Sequence, residues 1–285
     1  MKYFQNIVIL LISIWLIGCE TGVDSSDLLN KAELVVINGY LSPQITTLKV
    51  QVSKSKPRAS TTPINDLVIK DATVVIADEN ANELELNYVE DSMSYEGPAS
   101  EMEIIPGKKY FLKAMVNGKE YKSSCNIPTT FIEKIEHKVQ VKSNDYNGNR
   151  SLKVTIEDIK DQTNFYIVGA TVIQSFGQNT TPSESIENVE FELKQFATDV
   201  GRENSIITAD GFFTLASDAL PDPVLKIKVT NTEKILYEAL RATFLNEFND
   251  GDPFAEAVIA PTNIEGENGY GVFAGYQLVE KEITF

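Results

Sequence analysis

Tyr110-Phe111-Leu112-Lys113-Ala114-Met115-Val116-Asn117-Gly118-Lys119-Glu120-Tyr121-Lys122-Ser123-Ser124 decides the fold class. Tyr110, Leu112, Ala114 and Val116 occupy alternate positions, the spacing that places side chains on one face of an extended strand. Asn117-Gly118 follows at once and favours the type I′ turn, whose twist matches that of two antiparallel strands. The stretch reads as a β-hairpin with one half-buried face.

The same period of two recurs on either side. It marks strands at Leu34 to Leu41, at Leu48, Val50 and Val52, through Ala72 to Ala77, and at Leu84, Leu86 and Tyr88. Beyond Pro128-Thr129-Thr130 it resumes at Ile135 to Val141, Leu152 to Ile156, Phe165 to Ile173, Val189 to Gln195 and Leu225 to Val229. Asn144 to Asn149 and Ser175 to Asn188 are polar and read as loops. Many short strands between turn signals predict a mainly β chain with two β-sandwich-like (Ig/transthyretin-like) domains, residues 33–128 and 129–285.

One helix interrupts the second domain near 231–249. Thr230-Asn231-Thr232-Glu233 has capping-box spacing, in which Thr230 and Glu233 satisfy each other's free amides. Leu236, Leu240, Phe244 and Phe248 repeat every four residues, joined by Ile235 and Leu245, and Asn249-Asp250-Gly251 ends the run. The stripe predicts an amphipathic helix packed on a sheet, with Phe244 and Phe248 in the core.

The start of the chain reads differently. Lys2 precedes an apolar run from Ile7 to Ile17, and Leu16-Ile17-Gly18-Cys19 closes it. The run falls short of the roughly 20 residues that span a bilayer but suits the core of a signal peptide. Gly18 lets a peptidase reach the next bond, and the Cys19 thiol is a nucleophile that can take a diacylglyceryl chain. An ordinary secretory signal would instead carry a small residue where Leu16 stands. Residues 1–18 therefore read as a lipoprotein signal peptide, Cys19 as the lipidation site and 19–32 as a lipidated tether to a membrane.

The chain carries 25 basic and 41 acidic residues, a formal net charge of -16. Such a surface repels phosphate backbones, so no nucleic-acid partner is expected. With Cys19 carrying lipid, Cys125 has no disulfide partner and reads as a small core residue. Its single histidine, His137, shares a strand face with Ile135, Val139 and Val141, which suits packing better than a triad or zinc site. Asp145, Asn147 and Asn149 have the early spacing of a calcium loop, but Arg150 and Ile156 stand where that loop needs glycine and glutamate, so an Asn147-Gly148 turn fits better. No catalytic residue, cofactor or metal site is nominated.

A last region is distinctive: Asp252-Pro253-Phe254-Ala255-Glu256-Ala257-Val258, then Thr262-Asn263-Ile264-Glu265-Gly266, then Gly269-Tyr270-Gly271-Val272-Phe273-Ala274-Gly275-Tyr276. With Leu34 to Leu41 and Asp71 to Ile76, it resembles a Bacteroidota lipoprotein family, domain of unknown function four-two-four-nine. The glycines suit positive φ or close backbone approach, and Phe273 and Tyr276 suit packing, so the region reads as structural. The resemblance implies a non-enzymatic outer-membrane lipoprotein accompanying a TonB-dependent receptor, with a structural or adhesive surface role as the alternative. Glu20 and Asp24 beside Cys19 are compatible with acidic export signals of such lipoproteins, which favours the cell surface over the periplasmic face.

Overall fold

The computed structural model describes residues 33–56, 61–141, 148–176, 183–201, 206–216, 222–250, 252 and 254–285. The expected signal peptide, Cys19, the 19–32 tether, Asp145 and Asn147 lie outside these residues. The described chain is mainly β.

Seven strands come first: β1 (Val35–Leu41), β2 (Thr47–Lys54), β3 (Thr73–Asp78), β4 (Glu83–Val89), β5 (Ser94–Pro98), β6 (Lys109–Val116) and β7 (Lys119–Asn126). The hairpin is β6–β7, with Val116 opposite Lys119 and positive φ at both Asn117 (50°) and Gly118 (76°), as a type I′ turn requires. Alternate residues of these strands, among them Ile37, Val50, Val74, Leu112 and Tyr121, build one core.

The rest of the chain gives β8 (Ile135–Val141), β9 (Asn149–Glu157), β10 (Phe165–Phe176), β11 (Ser183–Asn188), β12 (Phe196–Thr198), β13 (Ile206–Thr214), β14 (Val224–Thr232), helix α1 (Lys234–Phe248) and β15 (Gly269–Thr284). A three-stranded sheet, β13-β9-β8, supplies Leu152, Val154 and Ile156 to a second core. Tyr166, Val168, Leu225, Ile227 and Val229 of β10 and β14 complete that core from the facing sheet. The arrangement is sandwich-like.

Among the described residues, a single strand contributes to both cores. The large sheet runs β11-β10-β14-β15-β1-β2-β5-β4-β3-β6-β7, with β12 on β10. The first half of β15 lies parallel to β1, from Val35 opposite Gly269 to Leu41 opposite Gly275. Its second half lies antiparallel to β14, from Tyr276 opposite Thr232 to Thr284 opposite Val224. Strand alternation then sorts its side chains: Phe273 enters the first core, Val279 and Ile283 pack on the second, and Val272 and Ala274 face α1.

Several sequence expectations change. Ser175 to Asn188, expected as a loop, contains the end of β10 and all of β11. The only large apolar residue of β11, Ile186, is exposed, so this edge strand has no hydrophobic period to read. Val189 to Gln195, expected as a strand, makes one bridge, Glu190 to Phe212, and then a 3-10 turn at Glu192–Gln195. Strands β5, β12 and β13 were not anticipated; the inward positions of β13 include Ala209 and Gly211, too small to mark a face. Between the two cores, at the expected Pro128–Thr130 boundary, the linker is held down. Gln277 Nε2 donates to the Pro128 carbonyl (2.5 Å) and Asn231 Nδ2 to that of Thr130 (3.3 Å). Ile264 and Phe273, which fall within 129–285, pack into the first core, because β15 must cross to reach β1.

The parallel pairing needs close backbones. Gly271 has φ 111°, and a Cβ there would sit 2.1 Å from the Ile37 carbonyl oxygen. Gly271→Ala should lower stability in urea unfolding by about 2 to 4 kcal/mol, combining left-handed strain with displaced backbone. Gly169→Ala in β10, where a Cβ meets nothing within 4 Å, should shift it by less than about 1 kcal/mol.

Candidate functional site

The distinctive C-terminal region surrounds a gap in the sheet. Strand β14 ends at Thr232 and the chain turns into α1, so among the described residues no strand pairs with the second edge of β15 from Gly271 to Gly275. Buried backbone groups need partners, and side chains provide them. Asn263 works as a one-residue strand: its Nδ2 donates to the Phe273 carbonyl (2.7 Å), and its Oδ1 accepts from the Phe273 amide (3.0 Å). Thr262 Oγ1 donates to the Gly271 carbonyl (2.8 Å). Glu233 Oε2 accepts from the Gly275 amide (2.7 Å), while the Glu233 amide donates to the Gly275 carbonyl (3.1 Å).

This corrects the expected capping box. Thr230 sits inside β14 and donates to the Ile167 carbonyl (3.3 Å); α1 starts at Lys234, with Glu233 at the N-cap and no side-chain cap bond. The second oxygen of Glu233, Oε1, instead accepts from the Asn126 amide at the end of β7 (2.9 Å). One carboxylate thus joins β7 to β15. Gly275 permits the approach, since a Cβ there would lie 2.3 Å from the Asn126 carbonyl oxygen. Burial raises the Glu233 pKa above its ordinary 4.5, although the bonds from Gly275 and Asn126 pull it down.

The same segment covers the free edge of β7. Lys122 and Glu265 exchange backbone bonds (2.9 and 2.8 Å), Ser123 Oγ donates to the Asn263 carbonyl (2.8 Å) and Tyr121 Oη to the Glu267 carbonyl (3.0 Å). Residues 262–267 therefore strap β7 to β15 beside the first core.

Helix α1 lies on the outer face of this joint. Leu236 and Ala239 pack on Val272 and Ala274, and the Tyr237 ring meets Phe165 and Phe196 at 5.3 and 5.7 Å between centroids. The seated positions run from Leu236 to Ala242. Phe244 is half-buried against Phe196 (5.8 Å), and Phe248, expected in the core, is 64% exposed and stacked on Phe244 (6.1 Å).

Past the seated turns, α1 and the 252–258 loop enclose a groove of about 520 Å³. Its lining includes Asn246, Glu247, Asp250, Asp252 and Glu256. Asn246 fixes the loop with a paired bond to Val258, donating to its carbonyl and accepting from its amide, both at 2.8 Å. Asp252 Oδ1 accepts from the Phe254 amide (2.9 Å), which closes the turn that holds the Phe254 ring out, 93% exposed. The distinctive region therefore divides: Thr262 to Tyr276 is structural, and Asp252 with Phe254 to Val258 forms a rim open to solvent.

Other singled-out residues stay apart from this place. Cys125 is fully buried, and burial, with Glu233 nearby, raises its thiol pKa. His137 is half-buried on β8; burial and then Lys281 lower its pKa, and its Nδ1 has no hydrogen-bond partner among the described residues. Asn149 bonds Thr214 Oγ1 through its Oδ1 (2.9 Å). A buried polar network that sequence reasoning missed holds the loop before β10 to β12. Asp199 accepts from the Asn164 amide (2.8 Å), and Asp158 accepts from Tyr166 Oη (2.8 Å). Among the described residues, no three of His, Cys, Asp and Glu converge to hold a metal ion, and no helix is long and apolar enough to cross a membrane.

Residues 20–282 match a family described as a domain of unknown function, DUF4249, and the chain belongs to that family. No curated protein matches it.

Replacing Glu233 by alanine would leave the Gly275 amide without its partner beside the core. We expect a loss of about 1 to 3 kcal/mol in urea unfolding. The pH dependence follows from the raised pKa: this carboxyl's stabilising contribution is complete below the ordinary 4.5 and is lost as pH climbs through the higher folded value. Glu233→Gln should remove that downward component from a stability-versus-pH curve.

Proposed function

We propose that the protein is a non-enzymatic outer-membrane lipoprotein, anchored through Cys19, that serves as an accessory binding component of a TonB-dependent uptake system. The observation carrying the anchor is Leu16-Ile17-Gly18-Cys19 after a short apolar run. Two or three acyl chains, at about 0.8 kcal/mol per buried methylene, would hold the folded part firmly at a membrane surface.

A binding role suits what the polar groups around β15 do. Thr262, Asn263 and Glu233 bond to main chain, which leaves the exposed rim of Asp252 and Phe254 to Val258 as the part of the distinctive region open to a partner. The resemblance noted from the sequence supplies the uptake context.

Cys19→Ser should abolish incorporation of labelled palmitate and leave unprocessed precursor; undiminished labelling would contradict the anchor. Native lipoprotein tagged at its C-terminus and isolated from outer membranes should copurify a TonB-dependent receptor. Recovery of adhesins or surface-assembly proteins in its place would favour the structural or adhesive role.

A further inference from the structure

We infer that the groove between the end of α1 and the 252–258 loop docks a polypeptide segment that alternates basic with apolar side chains, contributed by a partner protein. This deepens the binding role above and rests on it in taking the partner to be a protein.

Three observations carry it. The first is apolar surface held outward: Phe248 and Phe254 flank the lining residues in sequence, at 64% and 93% exposure, and Ile259 at the end of the loop is 87% exposed. Each stands within two residues of a lining position, and large apolar side chains exposed beside a groove mark an interaction site. Second, the rim is built in advance. The Asn246–Val258 pair and the Asp252–Phe254 turn fix the loop on the helix, so docking does not have to order it.

The third is charge, and it selects the occupant. Glu247, Asp250, Asp252 and Glu256 line the groove, and no lysine or arginine occurs anywhere from Ala242 to Glu280. Helix α1 also has no basic residue in its last turn, where free carbonyls add negative potential. A second copy of this face would set like charges together, and an anionic lipid surface would be repelled while the phenylalanines tried to enter it. A strand or helix edge presenting lysine or arginine beside leucine or phenylalanine satisfies both components. The groove's 520 Å³ has room for a few such side chains.

The test uses the full chain and three dye-labelled synthetic peptides of equal length, alternating lysine with leucine, lysine with serine, and glutamate with leucine, read by fluorescence anisotropy. Because an acidic protein attracts any cation weakly, location is decided by variants. Phe254→Ser, and separately Glu247→Lys with Glu256→Lys, should each weaken the lysine-leucine peptide about tenfold. Glu83→Lys with Glu85→Lys, exposed on distant β4, should change it less than about twofold. All substituted residues are exposed, and an unchanged melting temperature confirms folding. Equal losses for near and distant variants, no preference over the other two peptides, or no binding at all would overturn the inference. So would removal by Phe254→Ser of self-association or of binding to phosphatidylglycerol vesicles. Failure of palmitate labelling in the wild type would sink the anchor while leaving the peptide result intact, so the two claims fail separately.

Discussion

The constraint on which this structure depends is the open edge of β15. One strand serves two cores, yet its neighbour β14 accompanies only the second half before turning into α1. Leaving the carbonyls and amides of Gly271, Phe273 and Gly275 unpaired beside a core would cost about 1 to 3 kcal/mol each. Thr262, Asn263 and Glu233 occupy the place of the missing strand, each matched to one residue of that edge. Once the edge is closed, β1 can lie parallel on the other side and α1 can cover the outer face.

The same side chains explain how two cores become one structure. Glu233 reaches from the start of α1 to the end of β7 and to β15 at once, and Gln277, two residues beyond Gly275, reaches the linker at Pro128. None of these bonds is exceptional in strength. Their effect comes from position, since each ties segments that no continuous sheet could hold together. The apolar floor of Phe273 on one side and Val272 with Ala274 on the other limits water's access to the Glu233–Gly275 bond at β15.

How much of this was legible depends on range. The β6–β7 hairpin and most strands of the two cores were readable because a period of two and an Asn-Gly turn are local signals. The role of Glu233 was not: it stands three residues after a threonine, where a capping box is the local reading, while its actual partners lie 107 and 42 positions away. Phe248 was misplaced for a geometric reason. Steps of four residues advance about 40° beyond a full turn, so three steps from Leu236 carry the stripe about 120° around the helix and off the sheet. Division of the C-terminal region into a structural half and an exposed half was likewise out of reach, because Phe254 and Phe273 look alike until β15 is placed.

Amide hydrogen exchange in rising, sub-denaturing urea, resolved at Phe273 and Gly275 by NMR, tests the central claim most directly. If side chains close the edge of β15 and so unite the cores, these two amides open only with global unfolding. Their opening free energy and urea dependence then equal those of Val74 in the first core and Val168 in the second. Exchange at Phe273 and Gly275 through a low-energy, urea-independent opening, with Val74 and Val168 unfolding at separate urea concentrations, would contradict the account.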